Sequence, residues 1–284
     1  MAEFSCRGAC SNLWKWKRVA SAKVLQLARR WRDSLPLQLL LSLLFSWSLL
    51  VTDRTLLALL PGLLLDASFW KYQVTGLADV ADPWIADFTT QDSIAAMAQS
   101  VLAAMPERFA LCGLSMGGYV ALEIMRQAPE RVERLALLDT QAAPDTEEAK
   151  ARRRGLIELA EKGSFKGVTP RLLPLLLHSS RLRDEALTGH IMEMAERVGR
   201  DAFIRQQRAI LDRPDYRPLL PSIRCPTLVL CGRDDRITPV QAHRELAAGI
   251  ANSRLVVFDD CGHLPPLEWP DQTNRELRRW LTAG

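Results

Sequence analysis

Six short runs of nearly unbroken apolar residues, separated by stretches of helical character, set the strongest limit on what this chain can become. They fall at residues 55–60, 84–86, 109–112, 135–138, 228–231 and 255–258. Runs this short and this apolar suit parallel strands whose sheet is covered on both faces. The intervening stretches supply the cover. Asp92 or Ser93 caps a helix ending near residue 104, and residues 116–127 form a second that stops at Ala128-Pro129. Residues 239–248 and 271–281 form two more. The alternation predicts an α/β architecture, with a mostly parallel sheet of about six strands and helices on both faces.

The alternation breaks at residues 144–216, where only helical segments occur, at 146–162, 171–178, 183–199 and 201–211. An insertion there follows the strand ending near Asp139 and would sit above the carboxyl ends of the strands, where open α/β sheets bind ligands. The expected organisation is therefore a core of residues 55–143 and 217–284 with a helical cap of 144–216. The cap is expected to choose the substrate and to contribute little to the chemical step.

Residues 1–54 differ from everything after them. In residues 1–32, Arg7, Lys15, Lys17, Arg18, Lys23, Arg29, Arg30 and Arg32 stand against only Glu3, and an uncharged Leu-rich run covers 34–52. The net charge of +4 comes from this leader, so it gives no reason to expect nucleic acid on the folded domain. The apolar run, with Gln38 and several serines, is marginal against the ~20 residues of a membrane span. Three readings compete: an extension with no part in the fold, native or not; a signal anchor; a cleaved signal peptide. The first predicts a cytoplasmic protein. The others predict an anchored or exported one, with any membrane association through residues 1–54 alone. The cysteines, at 6, 10, 112, 225, 231 and 261, lack zinc-ligand spacing and read as small buried thiols.

The chemistry is signalled by Gly113-Leu-Ser115-Met-Gly117, placed between a strand and a helix. The pattern alone arises by chance in about one chain in ten of this length. On a strand-to-helix turn it holds a serine in a strained conformation with its hydroxyl exposed, and the glycines relieve the crowding. Such a serine needs a base. His178 and His190 lie in the helical insertion, and His243 lies on a helix where a solvated position is expected. His263, in Cys261-Gly-His263-Leu-Pro-Pro, follows the last strand and is the expected base. The base needs a carboxylate to fix its tautomer. Asp234 and Asp235 in Gly232-Arg-Asp-Asp-Arg-Ile-Thr-Pro239 qualify by position, and Asp139 is a third choice. Two backbone N–H groups must meet the developing oxyanion. Met116 supplies one, and Leu63, in Leu60-Pro-Gly-Leu63, the other.

With these motifs, residues 55–284 resemble the α/β-hydrolase superfamily, and within it the group of small esterases, cofactor-free haloperoxidases and carbon–carbon bond hydrolases. The acid in that family is the fourth residue of a G-x-x-D run, which falls on Asp235 and places it ahead of the other two. Two features depart from the family pattern. The two antiparallel strands that open the full fold have no counterpart, and the leader is foreign to it.

The resemblance and the residues together imply a carboxylic-ester hydrolase acting on a small-molecule ester through an acyl-enzyme on Ser115, with no metal or organic cofactor. A lactonase or a carbon–carbon hydrolase is the alternative on the same residues, and a non-catalytic binding protein on this fold is the remote one. An aspartate nucleophile of the dehalogenase kind is not offered, since that position is Ser115. Oligomeric state is not readable from the residues.

Overall fold

The computed structural model describes residues 54–283. The basic and apolar leader and Cys6 and Cys10 lie outside the described residues. Strands β1 (Thr55–Leu60), β2 (Ala81–Ile85), β3 (Phe109–Leu114), β4 (Val132–Leu138), β5 (Thr227–Gly232) and β6 (Ser253–Phe258) form one sheet in the order β2-β1-β3-β4-β5-β6. Every neighbouring pair is parallel.

Alternate residues of each central strand enter different apolar clusters, as the pleat requires. On β3, Phe109 and Leu111 face one cluster, while Ala110, Cys112 and Leu114 face the other. On β5, Val229 opposes Leu228 and Leu230 in the same way. Helices α2 (Ile94–Ala104), α3 (Met116–Gln127) and α7 (Val240–Gly249) close the first cluster. Helices α1 (Lys71–Gly76), α8 (Pro265–Glu268) and α9 (Pro270–Thr282) lie on the second face, where Leu267, Leu277, Trp280 and Leu281 are buried. Each such side chain contributes ~1.5–3 kcal/mol by leaving water.

Two elements were poorly marked in the sequence. Strand β2 starts three residues before the expected run. It contains Asp82 and Pro83, and a proline is tolerated there because β2 is an edge strand. Helix α1 has no side-chain cap and contains Val74 and Thr75. It is held from outside, by Asn274 Nδ2 on the Tyr72 carbonyl at 3.1 Å and Arg278 Nη2 on the Gly76 carbonyl at 2.7 Å.

Between β4 and β5 the regular elements are all helices. Thr146 caps α4 (Glu147–Glu161), its Oγ1 accepting the Ala149 N–H at 3.2 Å. Helix α5 (Leu173–Leu176) is much shorter than the expected 171–178. Tertiary contacts end it: the Leu176 carbonyl accepts the His263 N–H at 2.9 Å, and the His178 N–H goes to Glu268. The two expected helices that follow are one element, α6 (Glu185–Leu211), broken at Gly199, whose φ is +78°. Among the described residues, no helix is long and apolar enough to cross a membrane.

Candidate active site

The order of the strands reverses direction around β1 and β3, and ligands bind at the carboxyl side of such a switch point. Ser115 follows β3 there, with φ +54° and ψ −115°. The strain is imposed by its neighbours. Its N–H donates to the Leu138 carbonyl at 3.0 Å, and its own carbonyl accepts from Gly118 N at 2.9 Å and Thr140 Oγ1 at 2.9 Å. The glycines are sterically required: a Cβ at Gly113 would lie 2.2 Å from the Gly117 carbonyl oxygen, and one at Gly117 2.2 Å from that of Leu60.

The loop after β1 runs against this turn. A Cβ on Gly62 would sit 3.3 Å from that of Ser115. The next residue is Leu63. The N–H groups of Leu63 and Met116 have no acceptor among the described residues. Leu64, with φ +60°, gives its N–H to Gln206 Oε1 of α6 at 3.0 Å.

His263 and Asp235 come from the loops after β6 and β5. Nδ1 of His263 lies 2.8 Å from Asp235 Oδ2. An ionised carboxylate only accepts, so the proton sits on Nδ1 and Nε2 is left as the basic nitrogen. Asp235 is 4% exposed and fully used: Oδ2 also accepts from Thr238 Oγ1 at 2.6 Å, and Oδ1 from the N–H groups of Ile237 and Thr238 at 2.8 and 3.1 Å. Burial raises its pKa, but the charge and hydrogen bond of His263, with those of Thr238 and Ile237, override it and hold the carboxyl well below its ordinary value. Ser115 and His263 line one cavity of about 750 Å³. The Ser115 hydroxyl makes no hydrogen bond among the described residues. Catalytic hydrogen bonds commonly tighten only when substrate is bound.

The other two carboxylates behave differently. Asp234 turns outward, 45% exposed, with Oδ2 4.0 Å from His178 Nε2. Asp139 is wholly buried with φ +41°. Its Oδ1 accepts the Gly232 N–H at 3.0 Å, and its Oδ2 has no hydrogen-bond partner among the described residues. Burial, and then the negative charge of Asp235, raise its pKa well above the ordinary carboxylate value. Atoms of Asp139, Asp235 and His263 lie within 4.8 Å of one another, close enough for a metal set. The bonds just described already commit Asp235 and Nδ1, so the cluster reads as a hydrogen-bonded acid–base unit.

Three residues in and around the site were not legible beforehand. Glu268 holds the histidine loop by accepting the N–H groups of His178, Gly262 and Leu264 at 2.8, 2.9 and 3.3 Å. Gln206 holds the loop of Leu63. His243, expected on a solvated face, is fully buried and accepts the Thr140 N–H at 2.9 Å on Nε2. Burial lowers its pKa to about 4, so it stays neutral. The thiols of Cys112, Cys231 and Cys261 are buried, and burial holds them protonated.

Comparison with known proteins sets this geometry in a family. The family model described as alpha/beta hydrolase fold matches residues 68–270. The chain belongs to the α/β-hydrolase fold family. The chain is 32% identical, over 60% of its length, to the 2-hydroxy-6-oxo-6-phenylhexa-2,4-dienoate hydrolase of Comamonas testosteroni. It spans only 61% of that relative. It is 30% identical to the pimeloyl-[acyl-carrier protein] methyl ester esterase of Nitrosomonas europaea, over 64% of this chain and 74% of that one. A solved thermophilic esterase of Thermogutta terrifontis superposes with a TM-score of 0.73 at 31% identity, covering 80% of this chain and 89% of the esterase.

Proposed function

We propose that this α/β hydrolase is a serine carboxylic-ester hydrolase. Ser115 is the nucleophile, His263 the general base and then acid, and Asp235 the carboxylate that orients it. The observation that carries the reading is the 2.8 Å contact between His263 Nδ1 and Asp235 Oδ2, beside a cavity that both His263 and the strained Ser115 line. His263 Nε2 takes the Ser115 proton as Oγ attacks the ester carbonyl. The N–H groups of Leu63 and Met116 receive the oxyanion. His263 returns the proton to the departing alcohol, and water then clears the acyl-enzyme by the same path.

Residues 144–216 act as a cap that chooses the substrate. Leu156, Leu159, Leu172 and Leu175 stand large and exposed on this stretch, and all four line the cavity. The fuller coverage of the Thermogutta esterase supports ester over carbon–carbon chemistry, while the identity to the Comamonas hydrolase supports the second reading. A panel of p-nitrophenyl esters, lactones and a vinylogous diketone, with wild type and Ser115→Ala, separates them. Ester turnover that vanishes in Ser115→Ala is expected. Turnover of the diketone alone would overturn the ester reading.

A further inference from the structure

The cavity over Ser115 is mostly leucine, isoleucine and phenylalanine, but one wall is polar. Tyr119, Arg153 and Gln207 line it. Tyr119 lies one turn beyond Ser115 on α3, ~6 Å along the helix axis, so the polar wall begins near the reacting carbonyl.

This wall carries unbalanced charge. Asp145 accepts from Arg153 Nε at 2.5 Å and from Arg213 Nη2 at 2.8 Å. The side chains of Asp145 and Arg213 are 5% and 1% exposed. Burial raises the pKa of Asp145, but the hydrogen bonds of Arg213 and Arg153 outweigh it and keep the group ionised. One carboxylate therefore faces two guanidiniums. Arg213 also lies 4.2 Å over the Tyr119 ring, and its buried Nε has no acceptor among the described residues. Among the described residues no Asp or Glu lines the cavity, whose rim adds Lys166 and Arg171. A buried charge without a counter-charge is costly.

Arg153 has donors to spare. Nε is taken by Asp145 and Nη1 by Gln207 Oε1 at 2.7 Å, while Nη2 makes no hydrogen bond among the described residues. A guanidinium with a free Nη2 in an apolar cavity is suited to a carboxylate oxygen.

We propose that Arg153, Gln207 and Tyr119 form a carboxylate subsite, and that the substrates are esters whose apolar acyl chain ends in a carboxylate. This rests on the ester reading above. The acyl half is the one assigned, because it stays on the enzyme between the two steps while the alcohol departs. The neutral ester of equal length offers no acceptor to Arg153 Nη2, so the acidic ester is favoured over it.

The test uses mono-p-nitrophenyl adipate and suberate against p-nitrophenyl hexanoate and octanoate. Wild type should favour the acidic esters by about 10-fold or more in kcat/KM. The ratio should collapse in Arg153→Met and be partly kept in Arg153→Lys. Equal or better turnover of the neutral esters by wild type overturns the subsite and leaves the ester reading intact. Calorimetry on Ser115→Ala, with monomethyl adipate and methyl hexanoate, needs neither turnover nor a folded Arg153→Met. Tighter binding of the acidic ligand is expected. That result together with no ester turnover in wild type would keep the subsite and sink the ester reading, and equal binding would sink the subsite.

Discussion

Gln206 on the inserted helix α6 clamps Leu64 in the core: its Oε1 accepts the Leu64 N–H at 3.0 Å, while its Nε2 donates to the Phe88 carbonyl at 3.1 Å. The two residues are 142 apart in the chain, and Gln206 is 1% exposed. Leu64 follows the proposed oxyanion donor Leu63. The same inserted region also supplies the Leu176 carbonyl that holds the His263 N–H. The inserted helical region, proposed to choose the substrate, thus also braces two loops of the proposed chemistry.

Gln206→Leu leaves the Leu64 N–H and the Phe88 carbonyl unpaired. It should cost ~1–3 kcal/mol of stability. It should also lower kcat by roughly 10-fold, as for loss of about 1.4 kcal/mol of transition-state stabilisation, with a smaller change in KM. Steady-state kinetics on a short ester decides it. An unchanged kcat would mean that the loop's own turn, Leu65 N–H to the Gly62 carbonyl at 3.3 Å, is sufficient.

Asp235→Asn should be the most damaging of the three aspartate changes. It substitutes a donor where both His263 and Thr238 need an acceptor, and the wrong tautomer of His263 can lower kcat by ~10⁴. Asp139→Asn should keep most activity, and Asp234→Asn nearly all. A dead Asp139→Asn would move the acid to the end of β4.

Asp139 also predicts a pH effect of defined sign. Its folded pKa is raised, so above 3.8 the folded protein holds a proton that the unfolded chain releases. Stability should fall as pH rises through that window. Urea titrations at several pH values should show a flatter profile for Asp139→Asn, with the gain over wild type largest at high pH. A parallel profile would mean that Asp139 is ionised in the fold.

His243 acts in the opposite sense. Its pKa drops from 6.5 to about 4 on folding, so the unfolded chain binds the extra proton between those values. Stability should be lost as pH falls from about 6.5 to 4, by on the order of 3 kcal/mol from this group. His243→Gln should remove that limb of the stability profile. Its persistence would place the acid sensitivity elsewhere.

The parts of this molecule legible in its sequence are those marked locally. Strand β1 and helix α3 have the expected bounds, because an unbroken apolar run and a Pro-terminated helix announce themselves. Ser115, Asp235 and His263 stand in glycine-punctuated loops, and the structure brings the last two into contact. What escaped depends on distant partners. Nothing near Glu268 shows that it will gather three N–H groups of other loops, and nothing near His243 shows that Thr140 will bury against it. Helix α5 is shorter than its leucines imply because His263 and Glu268 claim its last backbone groups.

The central claim, covalent chemistry on Ser115, is tested most directly by intact-mass and peptide analysis after reaction with a fluorophosphonate. The account predicts one stoichiometric adduct on the peptide containing Ser115, absent from Ser115→Ala, with parallel loss of ester hydrolysis. Hydrolysis that survives in Ser115→Ala, or an adduct on another residue accompanying inactivation, would contradict it.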